Sequence, residues 1–152
     1  MITLDFNAKV KGTTQYRNFN FNSMAMFNGR PMGASSSGLF FLDGATDNGT
    51  AIESIIEFKK SDLGIHNNKR LRFIVFGIEA DGDLEITLTV DNKEARTYTV
   101  PVDTPGQQRV RIPVGRDGYG RYWSFKIKNT NGVDFSLDDI KALVVPLSSG
   151  IR

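Results

Sequence analysis

The sequence predicts an all-β chain: an antiparallel β-sandwich, jelly-roll-like, with an N-terminal arm and hairpin. Three observations predict it. Apolar and polar residues alternate with period 2 through much of the second half, as half-buried strands require. Strand-like runs recur at roughly 8–12-residue spacing, separated by Gly, Asn and Asp turns, which is the rhythm of a sandwich. At 152 residues the chain is long enough to bury one real core, and with no cysteine it has no disulfide framework to replace one. The composition divides it further. Residues 1–47, rich in Asn, Ser, Gly and Met, read as the arm and β-hairpin extension with little core of their own. Residues 48–152 read as the sandwich domain.

Taken in order, "NFNFNSMAMFNGRPMGASSSGLFFLDG" is a chain of short strands with turns at Asn28-Gly29 and Ser37-Gly38. "GTAIESIIEFKKS" is double-valued. Ile52, Ile55, Ile56 and Lys59 have helical spacing, while Ile52, Ser54, Ile56 and Phe58 have strand spacing. β-Branched residues and flanking glycines favour the strand. A strand over 71–78 follows, its apolar residues running together as in a strand buried on both faces. "DLEITLTV" sets Leu84, Ile86, Leu88 and Val90 against Glu85, Thr87 and Thr89; the Asp91-Asn92 turn then leads into "EARTYTVPV", a hairpin. In "QRVRIPV", Val110, Ile112 and Val114 alternate with Arg109 and Arg111, and Pro113 marks an edge or a strand end. In "RYWSFKIKN", Trp123, Phe125 and Ile127 form the core face. "SLDDIKALV" is the one helix-like piece, with Ser136 as a candidate N-cap, and is read mostly as strand.

Composition limits function. The net charge is +2, from 19 basic and 17 acidic side chains, without the basic excess that phosphate binding requires, so no direct nucleic-acid partner is expected. The start "MITLDFNAKVKG" lacks the basic and apolar regions of a secretion signal, and no apolar run approaches a membrane span. Catalytic inventory is thin. The one histidine, His66, sits in the polar turn "GIHNNKR" and reads as a turn residue rather than a triad base. The ligand set of a zinc site is missing. The loop Gly115–Gly120 lacks the Lys-Ser/Thr ending of a phosphate loop and precedes a strand, not a helix. Asp43 and Asp47, and Glu79, Asp81 and Asp83, read as solvated turn acids; a glycosidase pair would need a separation that a sequence does not supply. Lys59, Lys60, Lys69, Arg70 and Arg72 read as a solvated loop and strand end, with a charged contact to a partner subunit as the alternative. No cofactor, metal or catalytic residue is assigned. Trp123, Phe125, Ile127, Asp134 and Phe135 are assigned to the structural core and motif. Tyr119, Tyr122, Arg116 and Arg121 are candidate interface or glycan contacts.

The combination of "FNGRPMGASSSGLFFLDG", "DLGIHNNKRLRFIVFGIEADGDLEI", "VPVGRDGYGRYWSFKIKNTNGVDFSLDDI" and "VVPLSSGIR" resembles a domain of tailed double-stranded-DNA bacteriophage virion proteins. An R-Y-W-x-F strand and an N-x-x-G-x-D-F turn carry the likeness, at Arg121, Tyr122, Trp123, Phe125, Asn129, Gly132, Asp134 and Phe135. The family-like pattern often ends in paired arginines, whereas this chain ends Ser148-Ser149-Gly150-Ile151-Arg152. "FKIKNTNGVDFSLDDIKAL" also looks like the closing strands of jelly-roll carbohydrate-binding modules. The first resemblance implies a non-enzymatic virion component, tail-associated or head-associated. It would assemble as a homo-oligomeric ring or trimer with other virion proteins, inside the host cytoplasm and off the membrane. The alternatives are a module for host-surface glycans, with Tyr119, Tyr122 or Trp123 as platform, and a capsid decoration protein. A hydrolase using Asp81 and Asp83 stands third.

Overall fold

The computed structural model describes residues 2–7, 12–102 and 104–147. The terminal Ser148–Arg152 motif lies outside the described residues. The chain forms two compact units, Met1–Gly44 and Ala45–Arg152. Every element assigned in either is a strand, and every pairing is antiparallel.

The first unit contains two small sheets, where the sequence suggested an arm and one hairpin. Strands β1 (Ile2–Asn7) and β2 (Gly12–Arg17) pair as a hairpin. Strands β3 (Ser23–Phe27), β4 (Arg30–Ser35) and β5 (Gly38–Phe41) form a meander. The β3–β4 turn is Asn28-Gly29 with φ of 48° and 76°, the doubly positive geometry whose twist matches a tight hairpin. Gly33, at mid-β4, is the one buried residue among the described side chains of this unit. The Phe21 ring takes the space a Cβ would fill, at 2.5 Å, and stands edge-on to Phe19, with Phe40 6.1 Å away. Tyr16 joins this group against Phe19, with ring centres 5.5 Å apart. Met24, Met26, Phe27, Leu39 and Phe41 are all exposed.

The second unit runs β6 (Thr46–Asp47), β7 (Thr50–Ala51), β8 (Ile55–Glu57), β9 (Lys69–Ala80), β10 (Leu84–Val90), β11 (Lys93–Val100), β12 (Gln108–Pro113), β13 (Tyr119–Gly120), β14 (Trp123–Asn129) and β15 (Phe135–Pro146). One sheet has the order β11-β10-β14-β8. The other is centred on β9. Because β15 pairs with β9 from Lys69 to Ala80, β12 and β13 share the opposite side of β9. The "SLDDIKALV" segment is therefore strand throughout, with Ser136 paired to Glu79 rather than capping a helix. Pro113 closes β12, an edge strand, where its missing N–H leaves no ladder bond unmade.

The alternation read from sequence sets the core. Leu84, Ile86, Leu88 and Val90 are buried, and their cross-strand partners Asn129, Ile127, Phe125 and Trp123 are buried opposite them. Ile74, Phe76, Ile78, Ile112 and Val114 face them from the other sheet in one continuous cluster. Each such side chain stabilises the fold by roughly 1.5–3 kcal/mol when fully buried. β9 is fully buried on one face only. Its outer positions Phe73 and Val75 are half-buried, and Arg72 and Glu79 are exposed.

Two irregularities position the parts that matter below. In β9, Leu143 pairs with Phe73 but Val144 pairs with Leu71, so Arg72 is bulged out of the ladder. The inward series Ile74, Phe76, Ile78 thereby switches phase to Leu71 and Lys69. At the end of β14, the buried Asn129 uses its whole amide. Its Oδ1 accepts from Ser54 N–H at 2.8 Å, and its Nδ2 donates to Ile52 O and Val133 O at 2.9 and 3.0 Å. Gly132 follows at φ 76°, where a Cβ would lie 2.6 Å from Ala45 O. Asn129 and Gly132 thus fasten the 45–54 segment, including the β6–β7 hairpin, onto the sandwich-like unit.

Candidate functional site

The glycine loop and its surroundings are the densest polar constellation the sequence singled out. Val114 N–H donates to Arg72 O at 3.0 Å, and Leu71 N–H donates to Gly118 O at 2.8 Å, so both ends of the loop are stitched to the β9 bulge. Tyr119-Gly120 then pairs with Arg70 and Lys69 as β13, so the predicted loop is interrupted by a two-residue strand. The glycines serve close approach. A Cβ on Gly118 would sit 2.3 Å from the Leu71 carbonyl oxygen, and one on Gly120 would sit 2.3 Å from Val90 Cγ1. Gly118→Ala must therefore break the Leu71–Gly118 bond or shift the loop. A loss of about 1–3 kcal/mol in urea unfolding is expected; a neutral result would contradict the close approach.

The backbone N–H groups that open β14 do hold an anion, and it is the protein's own. Arg121 and Tyr122 N–H both donate to the Asp91 carboxylate, at 3.2 and 3.0 Å, and Asp91 N–H returns a bond to Tyr122 O at 3.0 Å. Asp91 is also the first residue of the doubly positive Asp91-Asn92 turn, φ 48° and 68°. One side chain thus ties the β10–β11 hairpin to the start of β14.

Lys69 departs most from its sequence reading. Its place in a basic run predicts a solvated side chain, yet it is 0% exposed. Its Nζ donates to Ile65 O, to Arg121 O at 3.0 Å and to Asn67 O at 3.4 Å, and lies 4.6 Å from the centre of the Trp123 ring. Burial pushes its pKa below the ordinary 10.5, while Asp62 and Asp91 pull it back upward. The bulge at Arg72 explains the burial, because it turns Lys69 to the same side as Leu71.

The other assigned residues spread out. Trp123, Phe125 and Ile127 are core, at 1%, 6% and 0% exposure. Phe135 is half-buried against that core, whereas Asp134 is exposed: its carboxylate accepts from Phe135 N–H and its carbonyl accepts from Asp81 N–H. Asp134 belongs to the turn, not to the core. Arg116 and Arg121 are exposed. Tyr122 is half-buried, with Lys60 and Arg121 cations 4.9 and 5.1 Å from its ring centre, which leaves little open ring for a sugar. Tyr119 is 52% exposed. Trp123 faces no solvent, so it offers no platform.

Two of the turn acids are occupied by the fold. Asp83 accepts from Val102 N–H at 3.3 Å, and Asp43 forms a two-pronged pair with Arg30 at 2.7 and 2.8 Å. Among the described residues no group of three or more His, Asp or Glu is placed to hold a metal. His66 pairs with Asp62 at 3.0 Å at the surface. The Gly64 N–H, chiefly, holds the Asp62 carboxyl below its ordinary 3.8, and Lys141 does the same for Asp139. Both contributions to stability are therefore complete above pH 3.8 and fade as pH falls through the lower folded values. A carbon-detected NMR titration should place both midpoints below 3.8; midpoints at or above it would remove this acid-side contribution.

Sequence reasoning did not find the cleft of the second unit. A cavity of about 400 Å³ opens between the 58–63 segment and β15, lined by Phe58, Leu63, Trp123, Phe125, Leu137 and Ile140, among others. The Trp123 Nε1 is buried and meets no acceptor among the described residues. The cleft is predominantly apolar, and Lys59, Ser61, Asp138 and Asp139 supply its polar lining. The chain matches no protein-family model, no curated protein and no solved structure.

Proposed function

We propose that the chain is a non-enzymatic structural component of a tailed-phage virion, tail-associated, in which a jelly-roll sandwich is the rigid body and the N-terminal unit joins copies into a symmetric oligomer. The observation that carries this reading is the partition of apolar residues. Every buried hydrophobic of the described core lies in the second unit, which also leaves Ile52, Ile55, Tyr119, Leu143, Val145 and Leu147 exposed, while the smaller first unit leaves Met24, Met26, Phe27, Leu39 and Phe41 between 46% and 72% exposed with no such core beneath them. Clustered apolar surface on a small module without a core of its own is what a subunit contact uses. The resemblance at Arg121–Phe125 and Asn129–Phe135 supplies the virion setting. Its residues have structural work here: Trp123 and Phe125 fill the core, and Asn129 and Gly132 clamp the 45–54 segment. Other virion proteins are then the partners, and assembly takes place in the host cytoplasm.

Electron microscopy of the parent particle, with this chain located by a bound antibody fragment, tests the reading. Density on the tail is expected. Label on the head would make the chain a capsid decoration protein, and a particle without it removes the virion role. The glycan-module alternative rests on Tyr119 alone, the exposed ring of the three candidates. Titrating host-surface oligosaccharides against the Tyr119 ring signals should leave them unmoved; saturable shifts would favour the glycan module.

A further inference from the structure

The β3–β4–β5 sheet is apolar on both of its faces. Register assigns the faces, because cross-strand partners share a side and neighbours along a strand alternate. One face carries the rows Met24–Gly33–Phe40 and Met26–Pro31. The other carries Phe27–Arg30, Ala25–Met32–Phe41 and Ser23–Ala34–Leu39. On the first face Phe21 covers Gly33 but leaves Met24 at 61% and Met26 at 68% exposure. On the second, Phe27 is 59%, Leu39 72% and Phe41 46% exposed, with the Arg30 guanidinium 3.9 Å from the centre of the Phe41 ring.

A two-fold dimer uses one patch on each copy, so whichever face it covers, it leaves the other apolar face in water. A head-to-tail contact, in which the Met24/Met26 face of one copy seats on the Phe27/Leu39/Phe41 face of the next, covers both. We infer that this sheet is a head-to-tail self-association surface, whose occupant is a second copy of this chain and whose repetition closes a ring. The inference rests on the oligomeric role proposed above and specifies its interface. The area suffices. Aromatic side chains bury roughly 150–250 Å² each; with Met and Leu side chains taken at about the lower end of that range and each scaled by its exposure, the five offer on the order of 500–600 Å² of apolar surface per chain. With the polar rim that accompanies such patches, each contact removes about 1,000 Å² in total, the lower bound for a specific interface.

Complementation between two face variants tests it. Met26→Lys disables the first face and Leu39→Lys the second, and both side chains already point to solvent, so neither change removes internal packing. By light scattering, the wild-type chain is expected to exceed two chain masses and each variant to run as a single chain. Their equimolar mixture is expected to give a species of two chain masses and no larger one, because one intact pair of unlike faces remains. That heterodimer also proves both variants folded. The Gly33 amide shift, held by the Phe21 ring, reports folding in each variant alone. If Met26→Lys still dimerises while Leu39→Lys does not, or if folded monomeric variants do not pair on mixing, the contact is not head-to-tail and the inference fails. A wild-type chain that stays monomeric at high concentration also overturns it, whereas localisation in the particle is decided separately by the microscopy above.

Discussion

Trp123→Ala is expected to destabilise the second unit by about 3–5 kcal/mol, a large share of the total stability of a domain this size. The ring is 1% exposed and stands at the meeting point of three elements. Val90 pairs with Trp123 across β10–β14, and Ser61 exchanges two backbone bonds with it on the other side, at 2.8 and 2.9 Å. The Lys69 ammonium lies beside its ring. Truncation removes the largest fully buried side chain and extends the cleft beside β15 into the core. The indole nitrogen makes no hydrogen bond to a described residue, so Trp123→Phe loses volume but no such bond and is expected to cost about 1–2 kcal/mol. Urea unfolding followed by far-ultraviolet circular dichroism measures both. The midpoint should fall while the denaturant slope holds, since the exposed area on unfolding changes little. A loss below about 1 kcal/mol for the alanine variant would mean that the ring is not the keystone its burial implies.

The all-β class was legible because its signal is local. Alternation at 84–90 and 123–127 requires only that one face be dry, and those positions are buried. Turn chemistry was legible for the same reason: Asn28-Gly29 and Asp91-Asn92 adopt the positive φ that Asn, Asp and Gly tolerate. What escaped the sequence is non-local. Extrapolating the phase of Ile74, Phe76 and Ile78 backwards puts Arg72 and Arg70 inside and Lys69 outside. The bulge at Arg72 reverses this, and it is visible only in the pairing of β9 with β15. The glycine loop was ambiguous because glycine serves anion binding, turning and close approach alike. The 2.3 Å clearances at Gly118 and Gly120 decide for close approach, and the Asp91 carboxylate fills the role a ligand anion would have had. The cleft beside β15 depends on how two edge strands diverge, which no single segment encodes.

Lys69→Met is expected to cost about 2–4 kcal/mol, although it replaces a buried cation with an apolar chain of similar length. Two effects oppose each other. Removing the charge relieves a desolvation penalty, which is why buried ions are often replaced by hydrophobes without loss. Against this, the part-buried carbonyl bonds to Ile65, Asn67 and Arg121 all lose their donor, and an acceptor orphaned away from water costs roughly 1–3 kcal/mol. Three acceptors on two separate segments outweigh one relieved charge, so the net effect is a loss. Asp91 already binds the Arg121 and Tyr122 N–H groups, so the 65–67 turn is the part set free. Faster amide exchange at Ile65–Asn68 should therefore accompany the fall in stability, with β10 unaffected. The cation–π share is separable. A double-mutant cycle of Lys69→Met with Trp123→Leu, which removes the aromatic face, should give a coupling of about 0.5–2 kcal/mol. A Lys69→Met chain as stable as wild type, with unchanged exchange at 65–68, would show that the carbonyl cage contributes nothing and that the ammonium is merely tolerated.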